Sequence, residues 1–113
     1  MRAINLRNNK ELSHKVTIAC SLVARMKGLL GRQGLESGES LWIKPCNSIH
    51  TIGMRFPVDV AFLDKKNTIV KVKNKLPSNR ITGIYFRASS VLEFPAGTLQ
   101  ETNTQVGDRI EIA

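Results

Sequence analysis

One six-residue run limits the architecture of this chain more than any other: Val58-Asp59-Val60-Ala61-Phe62-Leu63. Side chains alternate between the two faces of an extended strand, and here both faces are mostly apolar. The run therefore predicts a strand at the centre of a sheet that is covered on both sides. Asp64-Lys65-Lys66-Asn67 reads as the turn that follows, with Asn67 suited to the left-handed conformation, and residues 68–76 answer as the antiparallel partner. On that partner Val70 and Val72 are expected on one face, and Ile69, Lys71, Lys73 and Lys75 on the other. A lysine row of this kind is the solvated face of a strand that discourages edge-to-edge aggregation.

The other segments are short and punctuated in the same way. Ala3-Ile4-Asn5-Leu6-Arg7 and Lys15-Val16-Thr17-Ile18-Ala19-Cys20 alternate apolar and polar residues and read as a hairpin around Asn8-Asn9-Lys10-Glu11. Further strands are predicted at 40–44, 84–87, 90–94 and 109–112, and a helical turn within 98–104. One helix is expected near residues 21–31, with Ser21 as its N-cap, Gly31 and Gly34 ending it, and Leu22, Met26, Leu29 and Leu30 on its buried face. Arg25 and Lys27 are expected to point outward. Apolar residues make up 42% and charged residues 23% of 113 residues, enough for one modest core and too apolar for disorder. The expectation is a single mainly β domain over residues 1–113: a small β-sandwich or part-closed barrel with one short helix.

Seventeen Lys and Arg against nine Asp and Glu give a net charge of +8. Such a charge attracts polyanions at long range, so weak, salt-sensitive nucleic-acid binding is expected. Aromatics at 5% leave little stacking surface for a specific single-strand binder. Met1-Arg2-Ala3-Ile4-Asn5-Leu6-Arg7 has charges where a signal peptide has its apolar region, which makes the cytoplasm the default expectation. No run approaches the ~20 apolar residues of a membrane span.

Several segments resemble the signature of the DUF192 (UPF0127) family of prokaryotic proteins. Pro57-Val58-Asp59 and Phe62-Leu63-Asp64 fit its Pro-aliphatic-Asp and Phe-aliphatic-Asp steps. Arg25-Met26-Lys27-Gly28-Leu29-Leu30-Gly31-Arg32 is similar to its Arg-x-x-Gly-Leu-Met-x-Arg segment. Leu92-Glu93-Phe94-Pro95-Ala96-Gly97 and Val106-Gly107-Asp108 match two more. A packing role suffices for the Gly28 segment: the glycine lets the helix approach the sheet, and the leucines fill the core. The resemblance implies a jelly-roll-like sandwich and no established activity. Because relatives carry export signals, it also admits a trimmed exported form.

Candidate chemistry gathers between Trp42 and Asp64. Cys46, His50 and Met54 offer a thiol, an imidazole and a thioether at spacings of four residues. With a second His these are blue-copper donors, and His14 is the other His available. Such clusters lie near the end of a chain, whereas this one is internal and includes packing residues Ile49 and Ile52. No metal or cofactor is expected. Cys46 and His50 also form a nucleophile–base candidate, with Asp59 or Asn47 orienting the imidazole and Lys44 favouring the thiolate. The competing readings are a buried, inert thiol and a histidine that ties down its loop by hydrogen bonds.

Asp59 and Glu93 sit on apolar strands, where a carboxylate must be paired, hydrogen-bonded or exposed. They are either an acid/base pair or, more simply, caps for loop N–H groups or partners of Arg55 or Arg87. Together these residues predict a non-enzymatic ligand-binding or accessory module. Its concave surface would be lined by Cys46, His50, Met54, Asp59 and Glu93 and take a small or polymeric ligand. The charge admits an anionic or sugar-like one. The alternatives are a small hydrolase using His50 with Cys46 or Asp59, and a basic RNA- or polyanion-associated protein with a strip through Lys71, Lys73, Lys75 and Arg87. Oligomeric state is not legible.

Overall fold

The structure is a computed structural model that describes residues 1–113, except the side chains of Leu22, Val23 and Met26. The predicted burial of Leu22 and Met26 lies outside the described residues. In chain order the elements are β1 (Ala3–Asn5), β2 (Glu11–Ser13), β3 (Lys15–Ala19), α1 (Leu22–Lys27), β4 (Glu39–Ile43), β5 (Val58–Leu63), β6 (Ile69–Leu76), β7 (Ser90–Pro95), α2 (Thr98–Glu101) and β8 (Ile110–Ile112). The eight strands form two open sheets, one ordered β2-β1-β8 and the other β3-β4-β7-β5-β6. The mainly β single-domain architecture is as predicted, and neither sheet closes into a barrel.

β5 is an interior strand between β7 and the edge strand β6, as its composition requires, and every one of its residues is buried. Its two faces feed two separate cores. Val58, Val60 and Phe62 join Leu41, Ile43 and Val91 under Leu29, Ile49 and Met54. Ala61 and Leu63 join Leu92 and Phe94 against Ala3, Leu12, Leu99 and Ile110, which the small sheet and α2 supply. The large sheet is thus the middle layer. The small sheet lies on one side, and α1 with the loops on the other.

Several local expectations are corrected. Residues 15–19 do not pair with 3–7: β1 takes β2 as its hairpin partner, and β3 runs parallel to β4. Parallel neighbours need a crossover of a dozen or more residues, and residues 20–38 provide it, carrying α1 across one face of the sheet. Residues 84–87 form a loop instead of a strand. The clean alternation of β6 fails at a register shift opposite Phe62/Leu63, where Leu63 pairs with Ile69 and Phe62 with Lys71. Val70 is the extra residue there, so it packs on one core while Val72 packs on the other. Finally, α1 ends at Lys27 with Gly28 as its C-cap, short of the predicted Gly31 and Gly34, and Gly28 is required for its backbone rather than for close approach. Its φ is +48°, and a Cβ there would meet nothing closer than the Arg25 carbonyl at 3.9 Å.

Candidate functional site

Glu93 stands in the middle of β7, opposite Leu41 on one side and Val60 on the other. Strand alternation turns it toward the α1 face, away from its apolar neighbours Leu92 and Phe94. It is 3% exposed, and among the described residues its Oε2 has no hydrogen-bond partner. Burial alone pushes its carboxyl up to about 7. Neither Arg55 nor Arg87 serves as its counterion, because both side chains are exposed.

The crossover builds the cover over this carboxyl. Ser21 caps α1 by accepting the Ala24 N–H at 3.0 Å. At the other end Gly28 donates to the Ala24 carbonyl at 2.9 Å and, with its positive φ, turns the chain back so that Leu29 is buried against the sheet. Arg25 was expected to point outward. Instead its Nη1 donates to the Pro45 carbonyl at 3.1 Å, and its Nε is buried without a partner among the described residues. The result is a cleft of about 110 Å³ whose lining includes Glu93, Arg25, Leu29, Ile43, Ile49 and Met54. Lys27, Cys46 and His50 also line it.

Four of the five residues predicted to share a surface, Cys46, His50, Met54 and Glu93, do line this one cleft. Asp59 does not. It faces the opposite core and is fully buried there. Its Oδ1 accepts the Lys75 N–H at 2.8 Å, and its Oδ2 accepts the Gly97 and Leu99 N–H groups at 3.0 and 2.9 Å. That is the capping role, met by backbone instead of by arginine. It also removes Asp59 as partner to His50 and as half of an acid/base pair with Glu93.

Cys46 is anchored by its N–H to the Ser89 carbonyl, and its Sγ donates to the Ser48 carbonyl at 3.0 Å. Burial pushes its thiol up and the Glu93 charge adds to this. The Ser48 contact and Arg25 offset it only in part. A thiol held protonated is the opposite of an activated nucleophile. His50 is exposed at the cleft, and its loop is tied down by a backbone bridge to Ile81 instead of by a buried imidazole. His14 lies elsewhere, packed over Gly38, and does not line this cleft. Among the described residues no group of three His, Cys, Asp or Glu is placed to hold a metal ion. Arg25, Lys27, Leu29, Ile43 and Ile49 are lining residues that the sequence pattern did not mark. The one sequence signal for Arg25 is its place at the head of the Arg-x-x-Gly-Leu segment.

The DUF192 family model, described as an uncharacterized ACR, matches residues 4–112. No curated protein matches the sequence. Two solved structures share the fold. One is a protein of Sinorhizobium meliloti described as a candidate transcription regulator, with a TM-score of 0.82 and 21% identity over 97% of this chain and 89% of that one. The other is a Novosphingobium aromaticivorans protein of unknown function, with a TM-score of 0.83 and 15% identity over 98% of this chain and 82% of that one. At these identities the likeness concerns the fold alone.

Proposed function

Because this chain belongs to the DUF192 family, which carries no assigned activity, we propose its function from the cleft: a non-enzymatic binding module for a small dipolar ligand. One observation carries the reading. Among the described residues Glu93 Oε2 and Arg25 Nε are buried polar atoms without partners, on residues that line a single cleft, the first an acceptor when ionised and the second a donor. Each unmatched group costs about 1–3 kcal/mol, and a ligand that satisfies both recovers that cost on binding. The complementary ligand presents an N–H or ammonium to Glu93 and a carbonyl or carboxylate to Arg25, as a small amino acid or amide does. The cleft, of about 110 Å³, suits a small polar head. Aliphatic walls favour a short alkyl body on that head.

Alanine, alaninamide and acetamide are suitable probes, titrated into the protein while the backbone amides of Leu29, Cys46 and Ile49 are followed by NMR. At least one should shift these amides, and Glu93→Gln or Arg25→Met should weaken that response about tenfold, the loss of one charge-assisted hydrogen bond. Failure of all three probes to perturb the cleft overturns the reading. The hydrolase alternative is less well supported, because the Cys46 thiol is shifted away from the thiolate and Asp59 lies on the far side of the sheet.

A further inference from the structure

A second surface, distinct from the cleft interior, combines exposed apolar side chains with arginines that flank them along the chain. Phe86 is 89% exposed, Ile81 73%, Ile84 58% and Ile52 49%. They project from two loops that are fastened to each other by backbone bonds. The Thr51 N–H donates to Arg80 at 2.8 Å, Thr82 to Ile49 at 2.9 Å and Tyr85 to Asn47 at 3.0 Å. Tyr85 is anchored in turn against Phe62, ring centroids 4.6 Å apart. The protruding residues are therefore held on a fixed ribbon.

Between Asp64 and Glu93 the chain holds seven Lys or Arg and no acidic residue, and between Glu39 and Asp59 it holds Lys44 and Arg55 and again none. Arg80 and Arg87 directly flank the exposed Ile81 and Phe86. Apolar tips with a basic collar match the two layers of an anionic bilayer surface, acyl chains beneath negative headgroups. Nucleic acid is a poorer match, because three of the four protruding side chains are isoleucines with no face to stack on bases.

We infer that the paired loops 47–54 and 79–87 form a docking surface for an anionic lipid membrane, with Phe86, Ile81 and Ile84 entering the interface and Arg80 and Arg87 engaging the headgroups. His50, which bridges to Ile81 and also lines the cleft, places the cleft beside this surface. The inference does not depend on the cleft being a ligand site.

Co-sedimentation of the full chain with vesicles at low salt tests it, comparing phosphatidylcholine alone with phosphatidylcholine containing phosphatidylglycerol. The protein should pellet with the anionic vesicles only. Phe86→Ser and Ile81→Ser should each weaken binding about tenfold, the loss of one buried large apolar side chain. Both positions are exposed, so thermal unfolding should confirm an intact fold. Arg80→Ala with Arg87→Ala should reduce binding and its salt sensitivity. Failure of the wild-type chain to pellet with anionic vesicles overturns the inference. So does full binding by the Phe86→Ser, Ile81→Ser double variant, or Phe86-dependent capture of single-stranded RNA without vesicle binding.

Discussion

Asp59 and Glu93 are carboxylates on neighbouring strands, one position out of register, so they leave the same sheet through opposite faces. Asp59 is buried among three backbone donors, and Glu93 is buried with Oε2 unmatched. Substitution should separate the two roles. Asp59→Ala orphans the N–H groups of Lys75, Gly97 and Leu99, and chemical denaturation should show a loss of about 3 kcal/mol or more. Glu93 behaves oppositely. Its carboxyl is raised from 4.5 to about 7, so between those values the folded chain holds a proton that the unfolded chain has released. Stability contributed by the protonated form is complete below 4.5 and is lost as pH rises through about 7. Relative to Glu93→Gln, the wild-type unfolding free energy should fall by about 3 kcal/mol across that window. Urea melts of both proteins at several pH values check this, and a difference that does not vary with pH contradicts it. For the cysteines, exposed Cys20 should react with iodoacetamide at neutral pH before Cys46, and His50→Ala should not alter that order. A fast, His50-dependent Cys46 would revive the nucleophile reading.

At the scale of elements, the edge and the ends of the sheets are held by side-chain clamps. Asp108 accepts from Arg7 Nε at 2.6 Å, Asn5 Nδ2 at 2.8 Å and the Gln105 N–H at 3.0 Å, joining the end of β1 to the turn before β8. Burial raises its carboxyl, but these donors outweigh burial and hold it below the ordinary aspartate value of 3.8. Its contribution is therefore present above 3.8 and lost as pH falls through the lowered folded value. Asp108→Asn should cost about 1–2 kcal/mol at neutral pH, a figure reduced because the Arg7 side chain is 41% exposed. The cost should shrink in acid, as paired denaturation curves at neutral and low pH would show. On β6 the two register shifts and the exposed Lys75 make a poor template for a further strand.

Across the whole molecule, β3 and β4 run parallel, so the chain between them must cross a face of the large sheet. The small sheet seals the other face. The two faces therefore differ: one is a closed core, and the other carries a cleft under a cover of one short helix and loops. No helix among the described residues is long and apolar enough to cross a membrane. The net charge of +8 acts on the molecule as a whole and in a salt-dependent way. Retention on heparin should be weak and vanish by about 0.2 M salt, because counterion release makes such binding steeply salt-dependent. Tight retention above that salt would point to a specific polyanion site.

The amino-acid pattern was enough to place β5, the β5–β6 turn, α1 and β7, because alternation, capping and turn chemistry act over a few neighbouring residues. It also marked Asp59 and Glu93 as carboxylates needing an explanation. Which partners they meet was not legible, since it depends on β7 lying between β4 and β5 and on what covers each face. The same holds for β3, whose alternation suits a hairpin as well as a parallel strand. Only the crossover distinguishes them, and it alone brings Arg25 to the cleft that Glu93 lines. Short-range physics wrote the elements into the sequence. At the cleft, non-local packing leaves a carboxylate oxygen and a guanidinium nitrogen buried without partners among the described residues.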